Sequence, residues 1–179
     1  MYTQGYDIYS RVFVTACAIR AMFPRKYIER ICLIETWLSY PFVGRLAATL
    51  GEIAFAYQLY RVTNQPAIVY LSIVAQFFCW AGIITTHYQW HVYEEIIWLM
   101  IGTICATSSS VAVASFAFVY CLFMYFVDIP MYQSRHVKDE ASNKTYLSWK
   151  DGWMDTLKCY PNRDYAIWRP EMVWMLGIL

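Results

Sequence analysis

The most unusual ionisable side chain in the sequence is Glu52, which lies near the middle of the apolar stretch 41–63. A carboxylate at bilayer depth is costly, and such a residue by default indicates function. Glu52 could relay protons, bind a metal ion or pair with a cation. We expect the structural role, in which Glu52 meets Arg45 or another arginine inside a helix bundle, or is protonated and hydrogen-bonded.

The densest group of potential metal ligands consists of His87, His91, Glu94 and Glu95. On one continuous helix His87, His91 and Glu95 would share a face, because each lies four residues from the next. Together with Glu52 from the neighbouring span, that face could hold a metal ion.

The spacing of this group nevertheless argues against a metal. Di-iron carboxylate sites use Glu-x-x-His pairs from two helices, whereas this chain has one such pair, His91-x-x-Glu94, in reverse order. We therefore expect an interfacial cluster that binds headgroups or caps a helix, since Glu94 and Glu95 suit a helix N-terminus. The sequence predicts no catalytic residue, no metal and no cofactor, and allows a structural phospholipid.

The elements that must position these side chains are predicted to be membrane-spanning helices. Of the 179 residues, 59% are hydrophobic and only 15% are charged, whereas a soluble domain carries about 25% charged residues. Residues 62–93 and 96–127 contain no Asp, Glu, Lys or Arg, and about 20 apolar residues suffice to cross a bilayer. The net charge of +1 and the lack of a basic block argue against nucleic-acid binding.

We expect an all-α, polytopic transmembrane helical bundle of about four spans. The first two spans cover residues 41–63 and 67–86, with a turn before Pro66. Residues 91–127 are too long for one upright span, and we slightly favour a break near the serine run at 108–110. A stripe of small residues spaced by four favours instead one unbroken, closely packed helix, and it consists of Gly102, Ala106, Ser110 and Ala114.

The predicted transmembrane region, residues 41–127, is flanked by two different segments. Residues 1–40 are predicted to be interfacial, with an amphipathic helix after Pro24 that places apolar residues at helical spacing. Residues 128–179 are predicted to be a polar extramembrane segment, because Pro130 cannot continue a helix ladder. The final apolar run, residues 172–179, is too short to span a bilayer.

Several side chains are expected at the lipid or protein interface. Basic side chains near the ends of a span can extend to the headgroups, and tryptophans are enriched at that level. The predicted interface residues are Arg45, Arg61, Trp90, Trp98, Trp149 and Trp153. The six cysteines show no C-x-x-C pair, and we expect them to be buried thiols rather than disulfides.

Three stretches resemble an uncharacterised family of small polytopic membrane proteins. They run through residues 23–39, 94–98 and 127–132. In that family the Glu-Met-Val-Trp-Met stretch, here residues 171–175, opens a further apolar helix. The resemblance implies a membrane fold and no particular activity.

The function favoured by these observations is that of a non-catalytic accessory subunit in a multi-subunit membrane complex. We expect a mitochondrial inner-membrane respiratory or ATP-synthase assembly, with other membrane subunits and lipids as partners, since aromatic residues are enriched at protein interfaces. The first alternative is a small membrane metal or redox enzyme that uses Glu52, His87, His91, Glu94 and Glu95. The second alternative is a small transporter.

Overall fold

The computed structural model describes the backbone of residues 4–169 and the side chains of residues 8–169. The apolar run at 172–179 and the family stretch at 171–175 therefore lie outside the described residues. The described part is mainly helical. Its helices are α1 (Gln4–Met22), α2 (Pro41–Thr63), α3 (Ala67–Thr85), α4 (Tyr88–Ala106), α5 (Val111–Phe123), α6 (Ile129–Ala141), α7 (Trp149–Asp155) and α8 (Tyr165–Trp168).

Short turns join α2 to α3 and α3 to α4, so these helices run antiparallel to one another. Asn64 ends α2 with a left-handed backbone conformation, and Thr86 ends α3 in the same way. Each turns the chain back within a few residues, as a left-handed C-terminal residue typically does. Next, His87 accepts a hydrogen bond from the backbone N–H of Gln89 and so caps the first turn of α4.

The break expected near the serine run is confirmed, because α4 ends at Ala106 and α5 begins at Val111. The small residues at 102, 106, 110 and 114 therefore do not form the stripe of one unbroken helix. Gly102 shows the expected close approach: a Cβ there would lie 2.8 Å from Cys121 Sγ on α5. Ala106 packs against the edge of the apolar core, whereas Ser110 and Ala114 belong to the next helix start.

The helix that begins with α5 does not end at Pro130. A π-helical turn, Met124–Asp128, joins α5 directly to α6, so the helical segment extends to Ala141. The proline ring presses on the carbonyl of the preceding turn, and the wider π turn before Pro130 gives the ring more room. The predicted boundary at residue 128 therefore falls inside a continuous helical segment.

The N-terminal region also differs from the prediction. A 19-residue helix, α1, precedes Pro24 and packs against α2. The segment after Pro24 forms two short strands, β1 (Arg25–Lys26) and β2 (Ile31–Cys32), and a single 3₁₀ turn at Trp37–Ser39. The helical spacing of apolar residues there was misleading, because backbone pairing with a distant segment determines the local conformation.

Residues 23–40 and 142–169 form loops and short elements that cover one end of the bundle, and we call them the cap. At this end α1 and α3 end and α2 and α4 begin. Strand β1 pairs antiparallel with β2, and β2 pairs parallel with β3 (Tyr160–Pro161). A disulfide joins Cys32 to Cys159, so the expectation that all six cysteines are free thiols is wrong for this pair. The cap is held to α3 by Arg30, which binds the carbonyl oxygen of Ile83 and the carboxylate of Asp155.

Within the described residues, two helical segments are long and apolar enough to cross a membrane, namely Ala67–Thr85 and Val111–Ala141. The apolar core lies between α2, α3, α4 and α5, and it contains Ile68, Trp98, Ile101 and Met124. Trp98 was predicted at an interface, but only 7% of it is exposed. It packs inward because it lies on the face of α4 that contacts α5.

Candidate functional site

A network of charged and polar side chains lies inside the bundle, close to the capped end. Its centre is Arg45, which is 5% exposed. One guanidinium nitrogen of Arg45 lies 2.9 Å from Glu52 Oε2 and also donates a hydrogen bond to Gln76 Oε1. Gln76 Nε2 in turn donates to Glu52 Oε2 at 2.7 Å. The pairing of Glu52 with Arg45 is therefore confirmed, whereas the expected extension of Arg45 to the headgroups is wrong.

Helical spacing explains how α2 supplies this network. Arg45, Thr49 and Glu52 recur at intervals of four and three residues, so they lie on one face of the helix. Thr49 accepts hydrogen bonds from Arg45 Nε at 3.3 Å and from Trp80 Nε1 at 3.1 Å. This polar face of α2 therefore packs against α3. There its side chains are hydrogen-bonded to one another and to residues of α3.

A second part of the site joins α4 to α3. Nδ1 of His91 lies 2.8 Å from Glu94 Oε2 and 3.8 Å from Cys79 Sγ. The other carboxylate oxygen of Glu94 lies 3.8 Å from a guanidinium nitrogen of Arg45. Two of the predicted residues, His91 and Glu94, are therefore connected to Glu52 through Arg45.

A pair of carboxyl groups completes the polar part of the site. Glu95 on α4 and Asp128 at the end of the π turn both line the interior close to the capped end. The π turn before Pro130 therefore has a consequence for the site, because it positions Asp128 beside Glu95.

His87, by contrast, lies outside this network. Its ring stacks on Tyr146 with a centroid distance of 3.9 Å and lies 5.0 Å from the ring of His136. Burial, followed by the neighbouring His136, lowers the pKa of His87 below its usual value. The structure thus separates His87 from the other four predicted residues, because the turn before α4 directs it towards the segment after α6.

At the cap, Glu29 approaches the same part of the bundle. Tyr88 donates a hydrogen bond of 2.6 Å to Glu29, and Lys26 lies 3.3 Å from the same carboxylate. Burial alone would raise the pKa of Glu29, but the hydrogen bond from Tyr88 and the charge of Lys26 outweigh burial and lower it. Glu29 is therefore a carboxylate at neutral pH.

The remaining predicted interface residues lie away from the interior network. Arg61 is exposed near the end of α2. Trp90 is half-buried and stacks on Phe78. Trp149 and Trp153 are exposed on α7, where Trp153 also contacts Phe42 and Trp80.

These groups surround a cavity of about 490 Å³, which we call the central cavity. Its polar and apolar walls are separated along the helix axes. On α2 the lining changes from Arg45 and Glu52 to Phe55 and Leu59 with increasing distance from the cap. On α4 it changes from His91, Glu94 and Glu95 to Trp98, Ile101 and Cys105.

The same order is seen on the third wall. Val113, Phe116 and Ala117 of α5 line the apolar end, whereas Asp128, Tyr132 and Arg135 line the polar end. The stretch from residue 91 to residue 105 corresponds to about 21 Å of helix. The central cavity is therefore elongated, charged near the cap and apolar at its far end.

Sequence reasoning missed Gln76, Cys79 and Tyr132. Gln76 and Cys79 stand three residues apart in an apolar span, so they share a face of α3. A polar residue inside such a span faces the bundle interior as a rule, and that signal identifies Gln76. Nothing in the sequence distinguishes Cys79 from the other cysteines.

Comparisons of the chain with models of protein families, with curated protein sequences and with solved structures find no match.

Proposed function

We propose that this chain is an integral membrane protein that binds an amphiphilic, lipid-like molecule in its central cavity. The polar headgroup would lie near Arg45, His91 and Glu94, and the apolar tail would extend towards Ile101 and Val113. The observation that carries the proposal is the separation of charged and apolar lining along the cavity. Ligand pockets commonly have volumes of about 300–1,000 Å³, and the central cavity lies within that range.

The membrane location is supported by the distribution of side chains between surface and interior. Large apolar side chains are exposed along the outer faces of α3 and α5, including Tyr70, Phe77, Phe118 and Val119. Charged groups such as Arg45 and Glu94 are buried instead. A soluble monomer rarely exposes such continuous apolar surface, whereas a bilayer favours it and directs ionisable residues inward.

The amphiphile is supported by the chemistry of both ends of the cavity. An acyl chain removes the apolar walls from water, which contributes about 25 cal/mol for each Å² buried. A headgroup with hydrogen-bonding oxygens can satisfy the donors and acceptors near the cap. The ion pair between Arg45 and Glu52 fixes these polar side chains before a ligand binds. This preorganisation reduces the entropic cost of ordering the side chains on binding.

The test is a substitution that narrows the apolar end of the cavity. Ala117 is buried and lines that end, so Ala117→Phe should fill the space that the tail occupies. We expect the purified wild-type chain to retain about one amphiphile, measured by native mass spectrometry and by extraction into organic solvent. A titration of the wild type with a phospholipid that carries a fluorescent acyl chain should show binding. Ala117→Phe should weaken this binding at least tenfold.

The matched control is Ala112→Phe, which adds the same side chain to an exposed position of the same helix. It should bind the fluorescent phospholipid like the wild type. Because a large residue in a packed core can destabilise the fold, the half-buried lining residue Val113 provides a milder variant, Val113→Phe. A wild-type chain that neither retains an amphiphile nor binds the probe would refute the proposal.

The accessory-subunit function in a respiratory or ATP-synthase complex stays a prediction, as do the mitochondrial location and the protein partners. A connected network of buried ionisable groups around a cavity favours a ligand site over a purely structural role, because such groups are costly to bury. The alternative of a metal or redox enzyme also stays a prediction. Four of the five residues that it would use, Glu52, His91, Glu94 and Glu95, line the central cavity.

A further inference from the structure

One corner of the interior network combines three metal-ligand side chains from two helices. We propose that Cys79, His91 and Glu94 form a binding site for one zinc ion. One ligand atom of each residue lies within 4.8 Å of the other two. Each residue is more than nine-tenths buried. The zinc site shares His91 and Glu94 with the polar end of the central cavity, but its test is independent, because metal binding is measured without a lipid.

The ligand types match the preferences of zinc. Zinc binds cysteine thiolate, histidine nitrogen and carboxylate oxygen, and it accepts all three in one tetrahedral site. Harder cations such as Mg²⁺ and Ca²⁺ prefer an all-oxygen set. The mixed set at Cys79, His91 and Glu94 therefore favours zinc over these ions.

The distances between the ligand atoms are close to those of a tetrahedral site. From typical zinc–ligand bond lengths, sulfur and nitrogen ligands stand roughly 3.6 Å apart, and nitrogen and oxygen ligands roughly 3.3 Å apart. Here Cys79 Sγ and His91 Nδ1 are separated by 3.8 Å, and His91 Nδ1 and Glu94 Oε2 by 2.8 Å. A widening of about 0.5 Å between the last two atoms would admit the ion.

Neighbouring residues hold the ligands in this orientation. The His91 ring stacks on Tyr132 with a centroid distance of 5.1 Å. Its other side faces Gly82, where a Cβ atom would lie 3.0 Å from Nε2. Arg45 contacts the second oxygen of Glu94. These contacts restrict the orientation of His91 and Glu94 before an ion binds.

The charges and protons balance when the ion binds. The thiolate of Cys79 and the carboxylate of Glu94 neutralise the two charges of zinc, while Glu52 neutralises Arg45. The Cys79 thiol releases its proton, and a neutral His91 moves its proton from Nδ1 to Nε2. The three ligands also line the central cavity, so a fourth position is open to water, as in catalytic zinc sites.

The experiment uses the purified full chain in detergent, with zinc and its spectroscopic substitute Co²⁺ as probes. We expect about one zinc ion per chain, and a thiolate-to-cobalt charge-transfer band together with the absorption of tetrahedral Co²⁺. Cys79→Ser should abolish the charge-transfer band. His91→Gln and Glu94→Gln should each weaken zinc binding by at least about tenfold, the scale on which losing even a supporting group acts.

The matched control is Cys105→Ser, because Cys105 is also a buried free thiol that lines the central cavity. It should keep both the band and the affinity. Absence of the band from the wild-type chain would overturn the proposal without any variant, and so would a band that survives in Cys79→Ser. Ala117→Phe should leave cobalt binding unchanged, which separates this site from the amphiphile.

Discussion

Arg45 is the side chain on which the interior contacts converge. It contacts Glu52, Gln76, Thr49 and Glu94, which belong to three different helices. Three guanidinium nitrogens are used, so the planar fork of arginine suits the position in a way that a lysine ammonium does not. Arg45 therefore neutralises the carboxylates and also fixes how α2, α3 and α4 pack near the cap.

We predict that Arg45→Met strongly destabilises the chain. The substitution keeps most of the side-chain volume but leaves the buried Glu94 and the half-buried Glu52 without their cation. Removing one partner of a buried ion pair typically costs about 3–5 kcal/mol. The measurement is the unfolding midpoint in detergent, followed by denaturant titration. Arg45→Lys should fall between the wild type and Arg45→Met, because lysine restores the charge but fewer contacts.

Arg61→Met is the control, since it removes an arginine from an exposed position of the same helix. Surface substitutions usually change stability by less than about 0.5 kcal/mol. If Arg45→Met and Arg61→Met unfolded at the same midpoint, the interior network would not stabilise the bundle.

Sequence reasoning reached part of this site and missed the rest for a physical reason. A carboxylate inside an apolar span must be paired, so the pairing of Glu52 with Arg45 could be predicted. The inward direction of Arg45 could not, because a basic residue near a helix end can equally extend to the headgroups. The contact between Cys79 and His91 depends on how α3 crosses α4, and one chain's sequence pattern does not specify it.

At the scale of elements, apolar runs identified the helices better than local signals identified their ends. The turn at Asn64 and the break before α5 were predicted from proline and serine. Pro130 gave the wrong boundary, because the π turn before it keeps the helical segment continuous. The region after Pro24 became strand and loop because its partners lie near residue 160, beyond the reach of periodicity.

The docking of α7 on the end of α3 depends on Gly152. A Cβ atom at this position would lie 1.9 Å from the backbone oxygen of Ile84, so only glycine permits the contact. We predict that Gly152→Val displaces α7 and the cap. The expected result is faster proteolytic cleavage within residues 142–169, measured by mass spectrometry of the released peptides, while helices α2 to α5 stay protected.

Lys150→Val provides the control, because it introduces the same β-branched residue into the same helix at an exposed position. Its cleavage rate should match the wild type. Equal cleavage of Gly152→Val and the wild type would show that α7 docks without this close approach.

At the scale of the whole molecule, the proposed membrane location makes the order of the helices decide which parts share a side of the bilayer. Helices α1, α2, α3 and α4 and the segment Val111–Ala141 follow one another along the chain, and each packs against its sequence neighbour. If all five cross the bilayer, the start of α1 and the cap lie on opposite sides. The four spans expected from the sequence alone would instead place the two ends together.

Two features of the cap indicate which compartment it faces, and they disagree. The disulfide between Cys32 and Cys159 needs an oxidising environment. The basic residues of the cap favour the opposite side through the positive-inside tendency. A disulfide requires an oxidant to form, whereas the distribution of basic residues is only a statistical tendency. The cap and the polar end of the central cavity are thus expected to face an oxidising compartment.

The deciding measurement is protease accessibility of epitope tags in sealed membrane vesicles. One tag precedes α1, a second is inserted at the exposed turn after α6, next to Asn143, and a third at Gln65 between α2 and α3. Five crossings predict that the first and third tags behave alike and the second oppositely, with detergent exposing all three. An even number of crossings would make the first and second tags behave alike. Equal accessibility of these two tags would therefore support the four-span arrangement and exclude α1 from the bilayer.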